Sequence, residues 1–412
     1  MKNWAGNVTF AAERLRQPGS VPELQDLVGS SERVRVLGTG HSFNRIADTA
    51  DTLVSVLELP KTVEIAADRQ SVRVAGGLRY GEVTAALQAD GLALHNLGSL
   101  PHISVAGACS TGTHGSGDTN GTLASAVTRI EFVTADGSLA ALDRGDADFE
   151  GAVIALGALG VTTHLTLAVE PSYELSQVVY DGLPVDRLGT SFDDVFGSAY
   201  SVSAFTDWVD PEVMVWRKAK QITLDPEWLG ARLADGARHP IKTMPAGFAT
   251  EQGGVPGPWN TRLPHFRLEF TPSNGEELQS EYFVERSQAP AAIEQLRALG
   301  NEMAAVIQVS EVRTIAADTL WLSPSQGRDT VAFHFTWIQD EAAVRPVVEA
   351  LEAALLPLGA RPHWGKVFAA DAATLRTCYP KVPDFVELAA RYDEGGKFRN
   401  DYLNTYLPGA RG

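Results

Sequence analysis

The sequence predicts an α+β fold in two domains. Strand and helix patterns follow one another without a strict strand–helix–strand repeat, which argues against a doubly wound parallel sheet. An Asp-Gly pair between two strand patterns predicts an antiparallel hairpin over residues 128–142. From Tyr173 onward tryptophan becomes denser and strands alternate with longer loops, which favours a second α+β domain on a mainly antiparallel sheet.

The first predicted element with clear end signals is a helix. Ser20 is a suitable N-cap, Pro22 lies in the first turn, and Glu23 follows three residues after the cap. The other elements predicted before a boundary near residue 170 are strands over 33–37, 53–57 and 71–75, a helix over 79–90 ended by Gly91, hairpin strands over 128–134 and 138–142, a helix over 149–156 and a strand over 161–169.

The second half of the chain contains two long helix patterns. One covers residues 290–304, and the other covers residues 340–356 with Asp340 as N-cap and an apolar stripe on one face. Strands are predicted over residues 309–315 and 332–337.

Composition and charge limit the function classes. The chain has 412 residues, enough for two domains, and a net charge of −17, which argues against nucleic acid and anionic membranes as partners. Cys109 and Cys378 are too few for a disulfide framework or a zinc site, so no metal site is expected. No stretch approaches the roughly 18 apolar residues of a membrane span or a signal peptide's apolar region, so we expect a cytoplasmic protein.

Residues 33–43 combine a short strand with a glycine-rich turn. Gly38 ends the strand and Gly40 follows, which leaves successive backbone N–H groups bare in a concave anion site suited to a diphosphate. The stretch does not continue as the G-x-G-x-x-G of a Rossmann domain, so it favours a nucleotide cofactor bound in another fold. The alternative interpretation is an ordinary turn with His41 on the surface.

Residues 98–117 are rich in Gly, Ser and Thr, yet too apolar for a flexible linker. A loop of this length within a compact domain is usually functional or disordered. Its small residues and hydroxyls suit a path along which an elongated ligand lies against the backbone; the alternative is a decorated surface loop.

Two strand patterns carry polar residues on one face. Glu311 and Arg313 share a face, as do His334 and Thr336, whose strand has an aromatic opposite face. If the two strands were neighbours, these pairs would form a ligand site; the alternative is a solvated sheet face.

A third polar cluster, residues 363–366, includes His363 and Lys366. Lys366 and Arg313 are suited to stabilise an anion or a developing alkoxide, and Glu311 is a natural acceptor for substrate hydroxyls. The C-terminal segment 392–402 is polar and glycine-rich, which by itself is typical of a fraying tail.

Taken together, these stretches resemble the vanillyl-alcohol-oxidase-type FAD enzymes. The motifs that carry the resemblance are Gly-x-Gly-His-Ser at 38–42, Ser-Val-Ala-Gly at 104–107, Thr-Gly-Thr-His-Gly at 111–115, Gly-Ala-Leu-Gly-Val at 157–161 and Gly-Lys-Phe at 396–398. Within that superfamily the chain is most similar to the alditol oxidase family, through residues 100–107, 311–314, 321–324, 327–331, 334–337 and 361–368.

The resemblance implies an FAD-binding domain over residues 1–178, a substrate (cap) domain over residues 179–368, and a C-terminal part, residues 369–412, that returns to the FAD-binding domain. It also implies covalent attachment of FAD to His41, a bond that requires a neutral imidazole. The other implied cofactor-binding residues are Val36, Leu37, Gly38, Thr39, Gly40, Ser42, Ser99, Ser104, Gly107, Thr111, Gly112, Thr113, His114, Gly160, Val161, His363 and Lys366.

The resemblance further implies oxidation of the terminal primary alcohol of an alditol, such as xylitol or sorbitol, to an aldose. Hydride passes to the flavin, and O2 is reduced to H2O2, so FAD supplies the difficult chemistry. The implied substrate-binding residues are Ser99, Glu311, Arg313, Thr336 and Lys366, and the implied catalytic residues are Glu311, Arg313, Lys366 and His334.

Two alternative functions stay open. One is a sugar-lactone (aldonolactone) oxidase or dehydrogenase of the same flavoprotein family, and the other is a non-enzymatic carbohydrate-binding or scaffold protein. Glu311, Arg313 and Lys366 favour a chain polyol, because a lactone has fewer hydroxyls. We expect a monomer whose partners are a small polyol and O2.

Two positions near the implied cofactor need comment. Cys109 stands in Ala-Cys-Ser where the family pattern has Ser-Val-Ala, and we expect it to pack as a small hydrophobe. Gly98 precedes Ser99 and lacks a Cβ, which leaves space for O2 beside the flavin. In the wider family a small residue in this region is associated with oxidase behaviour; the alternative is that Gly98 only lets the chain turn.

Overall fold

The structure is a computed structural model that describes residues 1–270 and 276–409. The N-terminal elements are β1 Leu15–Arg16, α1 Val21–Ser30, β2 Val34–Val36, β3 Thr52–Val54, β4 Val63–Ile65, β5 Ser71–Ala75, α2 Tyr80–Ala89, β6 Leu92–Ala93, α3 Val105–Thr111, β7 Val127–Val133, β8 Leu139–Asp143, α4 Phe149–Ala152, β9 Val161–Ala168 and β10 Glu170–Pro171.

The remaining elements are β11 Glu174–Pro184, α5 Val185–Thr190, α6 Phe192–Phe196, β12 Ser201–Thr206, β13 Glu212–Ala219, β14 Glu227–Trp228, β15 Ala231–Leu233, β16 Gly257–Pro258, β17 Glu277–Glu285, α7 Ala289–Ala298, α8 Gly300–Met303, β18 Ile307–Ile315, β19 Thr330–Ile338, α9 Glu341–Leu355, β20 Arg361–Pro362, α10 Ala372–Cys378, α11 Val382–Tyr392 and α12 Asp401–Tyr406. Each of these described helices is too short or too polar to span a lipid bilayer.

The N-terminal part contains two main sheets. Strands β1, β3 and β2 form a small parallel sheet, and β4, β5, β9, β7 and β8 form an antiparallel one in that order. The predicted hairpin is confirmed as β7–β8, and Ser20 caps α1 by accepting from the backbone N–H of Glu23. The predicted α+β class is therefore confirmed for this part.

A large antiparallel sheet dominates the second half. Its order is β14-β15-β11-β13-β12-β18-β19-β17-β20, with β16 paired to β11. The helices α5, α6, α7 and α9 contribute to the buried core on one face, together with Val312, Phe333 and Trp337 of the sheet. Because side chains alternate along a strand, the opposite face carries the polar residues of β17, β18 and β19.

Three local predictions are wrong. The stretch 98–117 is not loop throughout, because α3 lies within it, and the helix predicted over 149–156 ends at Ala152. The helix predicted over 290–304 is interrupted between α7 and α8. A Cβ at Gly300 would lie 2.3 Å from the carbonyl oxygen of Trp208, so this segment lies close against a neighbouring backbone.

The C-terminal segment 392–402 is not the fraying tail that its composition suggests, because hydrogen bonds anchor it to the N-terminal part. Lys397 accepts a hydrogen bond through its carbonyl from the N–H of Val34 (2.9 Å). The Arg35 guanidinium donates to the carbonyl of Phe398 (2.7 Å), and the Phe398 ring is fully buried. The strand that precedes the glycine-rich turn is thus held by residues more than 360 positions later.

Candidate active site

A large cleft lies between the N-terminal sheets and the polar face of the large sheet. Its volume, with the open mouth included, is about 2100 Å³. One side is lined by the turn at residues 38–42 and by residues between 98 and 114, and the facing side is lined by residues of β17, β18 and β19. Its size and two-sided lining suit a large ligand.

The turn after β2 is a cradle of backbone donors. Within the described chain, the N–H groups of residues 38–42 donate to no other protein group. Gly40 has φ +72°, which favours glycine, and a Cβ at Gly38 would lie 2.5 Å from Oγ of Ser104, so any other residue there would displace that hydroxyl. Five free N–H groups on consecutive residues form the nest that the sequence predicts for an anion.

His41 lies on this nest and lines the cleft. Its ring stacks on Trp4, with centroids 5.0 Å apart, and its Nδ1 lies 3.0 Å from Oγ1 of Thr39. Burial, helped by the positive charge of Lys366, lowers the pKa of His41 to about 4. The imidazole therefore stays neutral even in mild acid, and its burial against Trp4 argues against an ordinary surface histidine.

Helix α3 lines the same wall. A Cβ at Gly107 would lie 2.8 Å from Oγ of Ser104, so Gly107 and Ser104 pack closely in this wall. Thr111, in the last turn, donates to the carbonyl of Gly107 (3.0 Å), so its hydroxyl is already engaged. Cys109 points into the core, 3.4 Å from the Tyr80 hydroxyl, and burial raises the pKa of its thiol to about 12. The thiol therefore stays protonated and away from the cleft.

The polar face carries a row of three titratable residues. β18 and β19 are neighbours, Glu311 lies directly opposite His334, and His334 lies directly opposite Glu281 on β17. Glu311 and Arg313 are only 5% and 6% exposed, which excludes a solvated sheet face. His334 keeps some exposure to the cleft, yet desolvation lowers its pKa to about 3, so a neutral imidazole separates two carboxylates.

Glu281 is the centre of a buried ion cluster. Its Oε1 lies 3.0 Å from Nε2 of His114 and 2.9 Å from Nη2 of Arg313. The other ring nitrogen of His114, Nδ1, lies 2.8 Å from the carbonyl oxygen of Gly115, so both nitrogens of the ring have a partner. Burial alone raises the pKa of Glu281, but the positive charges of His114 and Arg313 outweigh it and lower this pKa well below its usual range.

A second cluster lies beside the first one. The side-chain oxygen of Gln279 accepts from Nζ of Lys366 and from Nε2 of His334 (3.0 Å). Desolvation lowers the pKa of Lys366 to about 8. His363 accepts the N–H of Gly365 on Nδ1 (2.9 Å), and burial lowers its pKa to about 3. Lys366 is therefore the cation of a cluster whose histidines are neutral.

The structure brings nearly all sequence-predicted site residues to this cleft. Those that line it are Val36, Leu37, Gly38, Thr39, Gly40, His41, Ser42, Ser99, Ser104, Gly107, Thr111, Thr113, His114, Gly160, Glu311, Arg313, His334, Thr336, His363 and Lys366. The two that do not are Gly112, which is the left-handed C-cap of α3, and Val161, whose side chain is buried in the core at the start of β9.

Several lining residues escape the sequence analysis. Gln279 and Glu281 repeat the i, i+2 polar pattern of Glu311 and Arg313, and that signal could have found them. His265 lies after an irregular stretch that carries no periodicity, so nothing in the sequence marks it. In the described chain no group of three or more His, Cys, Asp and Glu is placed to hold a metal ion.

Comparison with known proteins agrees with the two sides of the cleft. Residues 12–143 match a family model described as an FAD binding domain, and residues 273–406 match one described as D-arabinono-1,4-lactone oxidase. The first match contains the nest and the second contains the polar face. The chain therefore carries an FAD-binding domain.

One relative decides the family. The alditol oxidase of Streptomyces sp. is 49% identical to this chain over 411 residues, with 99% of both chains covered. The chain belongs to the alditol oxidase family. An L-gulono-1,4-lactone dehydrogenase of Mycobacterium tuberculosis is more distant, at 28% identity over 98% of each chain.

Solved structures confirm the fold of this alditol oxidase family member. A crystal structure of cholesterol oxidase from B. sterolicum superposes with a TM-score of 0.79 at 14% sequence identity, covering 99% of this chain and 96% of the other. At that identity the likeness concerns the fold alone, and it agrees with the predicted vanillyl-alcohol-oxidase-type architecture.

Proposed function

We propose that this protein oxidises the terminal primary alcohol of an alditol, such as xylitol or sorbitol, to the aldose with FAD as cofactor, while O2 is reduced to H2O2. The observation that carries the proposal is the cleft itself, lined by a nest of backbone donors and by a buried charged sheet face. The relationship to an alditol oxidase along the whole chain supports the polyol as substrate class.

The nest fits the diphosphate of FAD. Five free N–H groups on consecutive residues, at a turn that contains two glycines, offer the donors that an anion needs. Bound there, FAD supplies the acceptor for a hydride. The other lining residues of the N-terminal wall, including Ser104, Gly107 and Gly160, would contact the rest of the cofactor.

His41 is proposed as the covalent attachment point. A neutral imidazole has a free lone pair to form the bond, and a pKa of about 4 keeps it neutral over the physiological range. The stack on Trp4 and the contact with Thr39 support one orientation of the ring.

The sheet face is proposed to bind the polyol. Glu311 would accept substrate hydroxyls, and Arg313 and Lys366 would donate to oxygens and stabilise negative charge at the reacting oxygen. Ser99, whose Oγ lies 3.4 Å from Nη1 of Arg313, and Thr336 would complete the set of hydroxyl contacts. His334 is neutral and lies between the carboxylates, where it can donate or accept a hydrogen bond.

We extend the proposal to the organisation of the chain. The FAD-binding domain would consist of residues 1–178 and 369–412, and the cap domain of residues 179–368. Residues 410–412 lie outside the described residues. A cytoplasmic monomer with the polyol and O2 as partners is consistent with the charge of −17.

A lactone substrate is the second candidate. The family model that matches residues 273–406, the part of the chain that holds the polar sheet face, is described as D-arabinono-1,4-lactone oxidase. Peroxide release from xylitol, sorbitol and D-arabinono-1,4-lactone, measured beside dye reduction without O2, separates the two candidates. A higher kcat/KM with the lactone would overturn the alditol proposal, and turnover with dye alone would overturn the oxidase.

Covalent attachment is tested by acid precipitation. We expect the yellow colour to stay with the precipitate of the wild type and to be released from His41→Ala. His164→Ala is the matched control, because His164 lies on the five-stranded antiparallel sheet and does not line the cleft. Release of all flavin from the wild type would show that the bond is absent.

A further inference from the structure

Two buried residues extend the hydrogen bonding of Glu311 away from its carboxylate. Lys218 of β13 is 1% exposed, and His265 is 5% exposed. Nζ of Lys218 lies 3.1 Å from Nδ1 of His265, and Nε2 of His265 lies 2.7 Å from Oε1 of Glu311. The three side chains therefore form one continuous line of hydrogen bonds that ends at the proposed substrate-binding carboxylate.

The surroundings of Lys218 determine which nitrogen of His265 carries the proton. Its Nζ contacts three acceptors: Nδ1 of His265 and the carbonyl oxygens of Leu263 (2.6 Å) and Pro264 (3.1 Å). An ammonium group has three donors and no acceptor, so it satisfies all three contacts. Nδ1 of His265 must then be the acceptor, and the single proton of the neutral ring must reside on Nε2.

The ring of His265 is also fixed in position. Phe205 and Trp216 lie edge-on to it, with centroids 5.6 and 5.2 Å away, and Oγ of Ser203 lies 3.3 Å from Nε2. Burial and the charge of Lys218 lower the pKa of His265 to about 4, so the ring stays neutral at physiological pH. One donor is thus presented to Glu311 in one direction.

The contact with His265 engages only one of the two carboxylate oxygens of Glu311. Its Oε1 accepts from His265 and lies 3.5 Å from Nε of Arg313, while Oε2 has no hydrogen-bond partner in the described chain. We propose that Lys218 and His265 are positioning residues: Lys218 selects the Nε2–H tautomer of His265, and His265 then holds Glu311 ionised with Oε2 available to a substrate hydroxyl. The proposal deepens the proposed function and rests on it.

The charge of Lys218 also gives the arrangement a dependence on pH. Burial lowers the pKa of Lys218 to about 7, and the charged or titratable groups that face it are His265, Glu311 and Arg313. When Lys218 loses its proton, two lone pairs face each other unless His265 moves its proton to Nδ1. That change would turn a lone pair toward the Glu311 carboxylate, so raising the pH should act like removal of Lys218.

The direct test is the tautomer of His265 in the purified holoenzyme. The protein labelled with 15N-histidine is examined at pH 6 by two-bond ¹H–¹⁵N correlation spectra, with His265 assigned from the spectrum of His265→Gln. We expect the Nε2–H form in the wild type, and a shift toward Nδ1–H in Lys218→Met and in the wild type at pH 8.5. An unchanged tautomer in both would overturn the proposal, and the wild-type measurement needs no variant to fold.

Anaerobic reduction by xylitol gives the second readout. Because one hydrogen bond to a charged acceptor is lost or misdirected, we expect Lys218→Met to lower the ratio of reduction rate to substrate Kd about tenfold. His265→Gln keeps an amide N–H that can reach Glu311, so it should stay within about threefold of the wild type, while His265→Leu should fall as far as Lys218→Met. Equal losses in His265→Gln and His265→Leu would contradict a donor role.

The double variant separates positioning from a merely structural role. With Gln at position 265 there is no tautomer to select, so adding Lys218→Met should cost about twofold at most. An equal loss from Lys218→Met in both backgrounds would overturn the proposal. If xylitol fails to reduce the wild type while the tautomer responds as expected, the proposed function is wrong and the selection of the tautomer by Lys218 stands.

Discussion

Replacing Glu281 by Gln tests the buried ion cluster directly. The substitution keeps the shape of the side chain and removes its charge, while its neighbours His114 and Arg313 are 2% and 6% exposed. Both contacts of Oε1, at 3.0 and 2.9 Å, are hydrogen bonds to an ionised carboxylate in the folded state. The substitution therefore leaves the buried Arg313 guanidinium and the His114 ring without the carboxylate that they share.

The expected loss of unfolding free energy depends on which contacts His114 and Arg313 keep after the substitution. Breaking a buried pair by removing one partner costs roughly 3–5 kcal/mol. The new amide group can still hydrogen-bond to His114, and Arg313 still has Glu311 at 3.5 Å, so we expect the lower end, about 3 kcal/mol. With roughly 2 cal/mol/K of unfolding entropy per residue, a chain of 412 residues should lose about 3–4 °C in Tm.

The assay is thermal unfolding of the holoenzyme, followed by tryptophan fluorescence. Glu285→Gln is the matched control, because Glu285 is an exposed residue on the same strand, and it should change stability by about 0.5 kcal/mol or less. The pKa of Glu281 is lowered in the folded state, so its stabilisation is complete above its unfolded pKa of 4.5 and is lost as the pH falls below that value. The gap between wild type and variant should therefore narrow in acid, and an equal Tm loss in both variants would refute the cluster.

Three further changes have defined outcomes. Glu311→Ala should lose about 2–5 kcal/mol of transition-state stabilisation, because a hydroxyl acceptor and a partner of Arg313 disappear together; an unchanged rate of reduction by xylitol would remove it from the site. Gly98 is not in the left-handed region, and a Cβ there would lie 3.5 Å from the nearest atom, so Gly98→Ala should fit and should slow reoxidation by O2 several-fold while sparing reduction by xylitol. Gly189→Ala, with open space at Cβ, is its control, and equal slowing of both half-reactions would refute the oxygen argument. Arg35→Met leaves the carbonyls of Gly157, Phe398 and Leu156 without their donor and should cost at least about 3 kcal/mol, with faster proteolysis near the C-terminus as the second readout.

The nest and the polar strand faces could be predicted because both are local signals. Gly38 and Gly40 mark a turn by themselves, and period-2 alternation places Glu311 with Arg313 without knowledge of the fold. The pairing of Glu311 with His334 depends on strand register, which the sequence left open and the structure settles. Local patterns thus indicated the nest and the polar residues of β18 and β19.

The rest of the site depends on contacts between distant parts of the chain. Glu281 acquires its role only beside His114, 167 residues earlier, and His265 acquires its role only between Lys218 and Glu311. No periodicity in the sequence carries such contacts.

Helix α3 was missed for a related reason. Its Ser, Thr and Gly content is unfavourable for an isolated helix, and burial of residues such as Val105 and Cys109 stabilises it through tertiary packing.

The anchoring of the strand before the nest by Lys397 and Phe398 has a consequence for biosynthesis. A ribosome makes residues 34–42 early, but the carbonyls that hold Val34 and Arg35 are made more than 360 residues later. The cofactor cradle therefore cannot reach its final geometry on the nascent chain, and loading with FAD has to follow synthesis of the last helices. Ribosome-bound or prematurely terminated chains should stay colourless, and an incomplete polypeptide would be unable to generate peroxide in the cell.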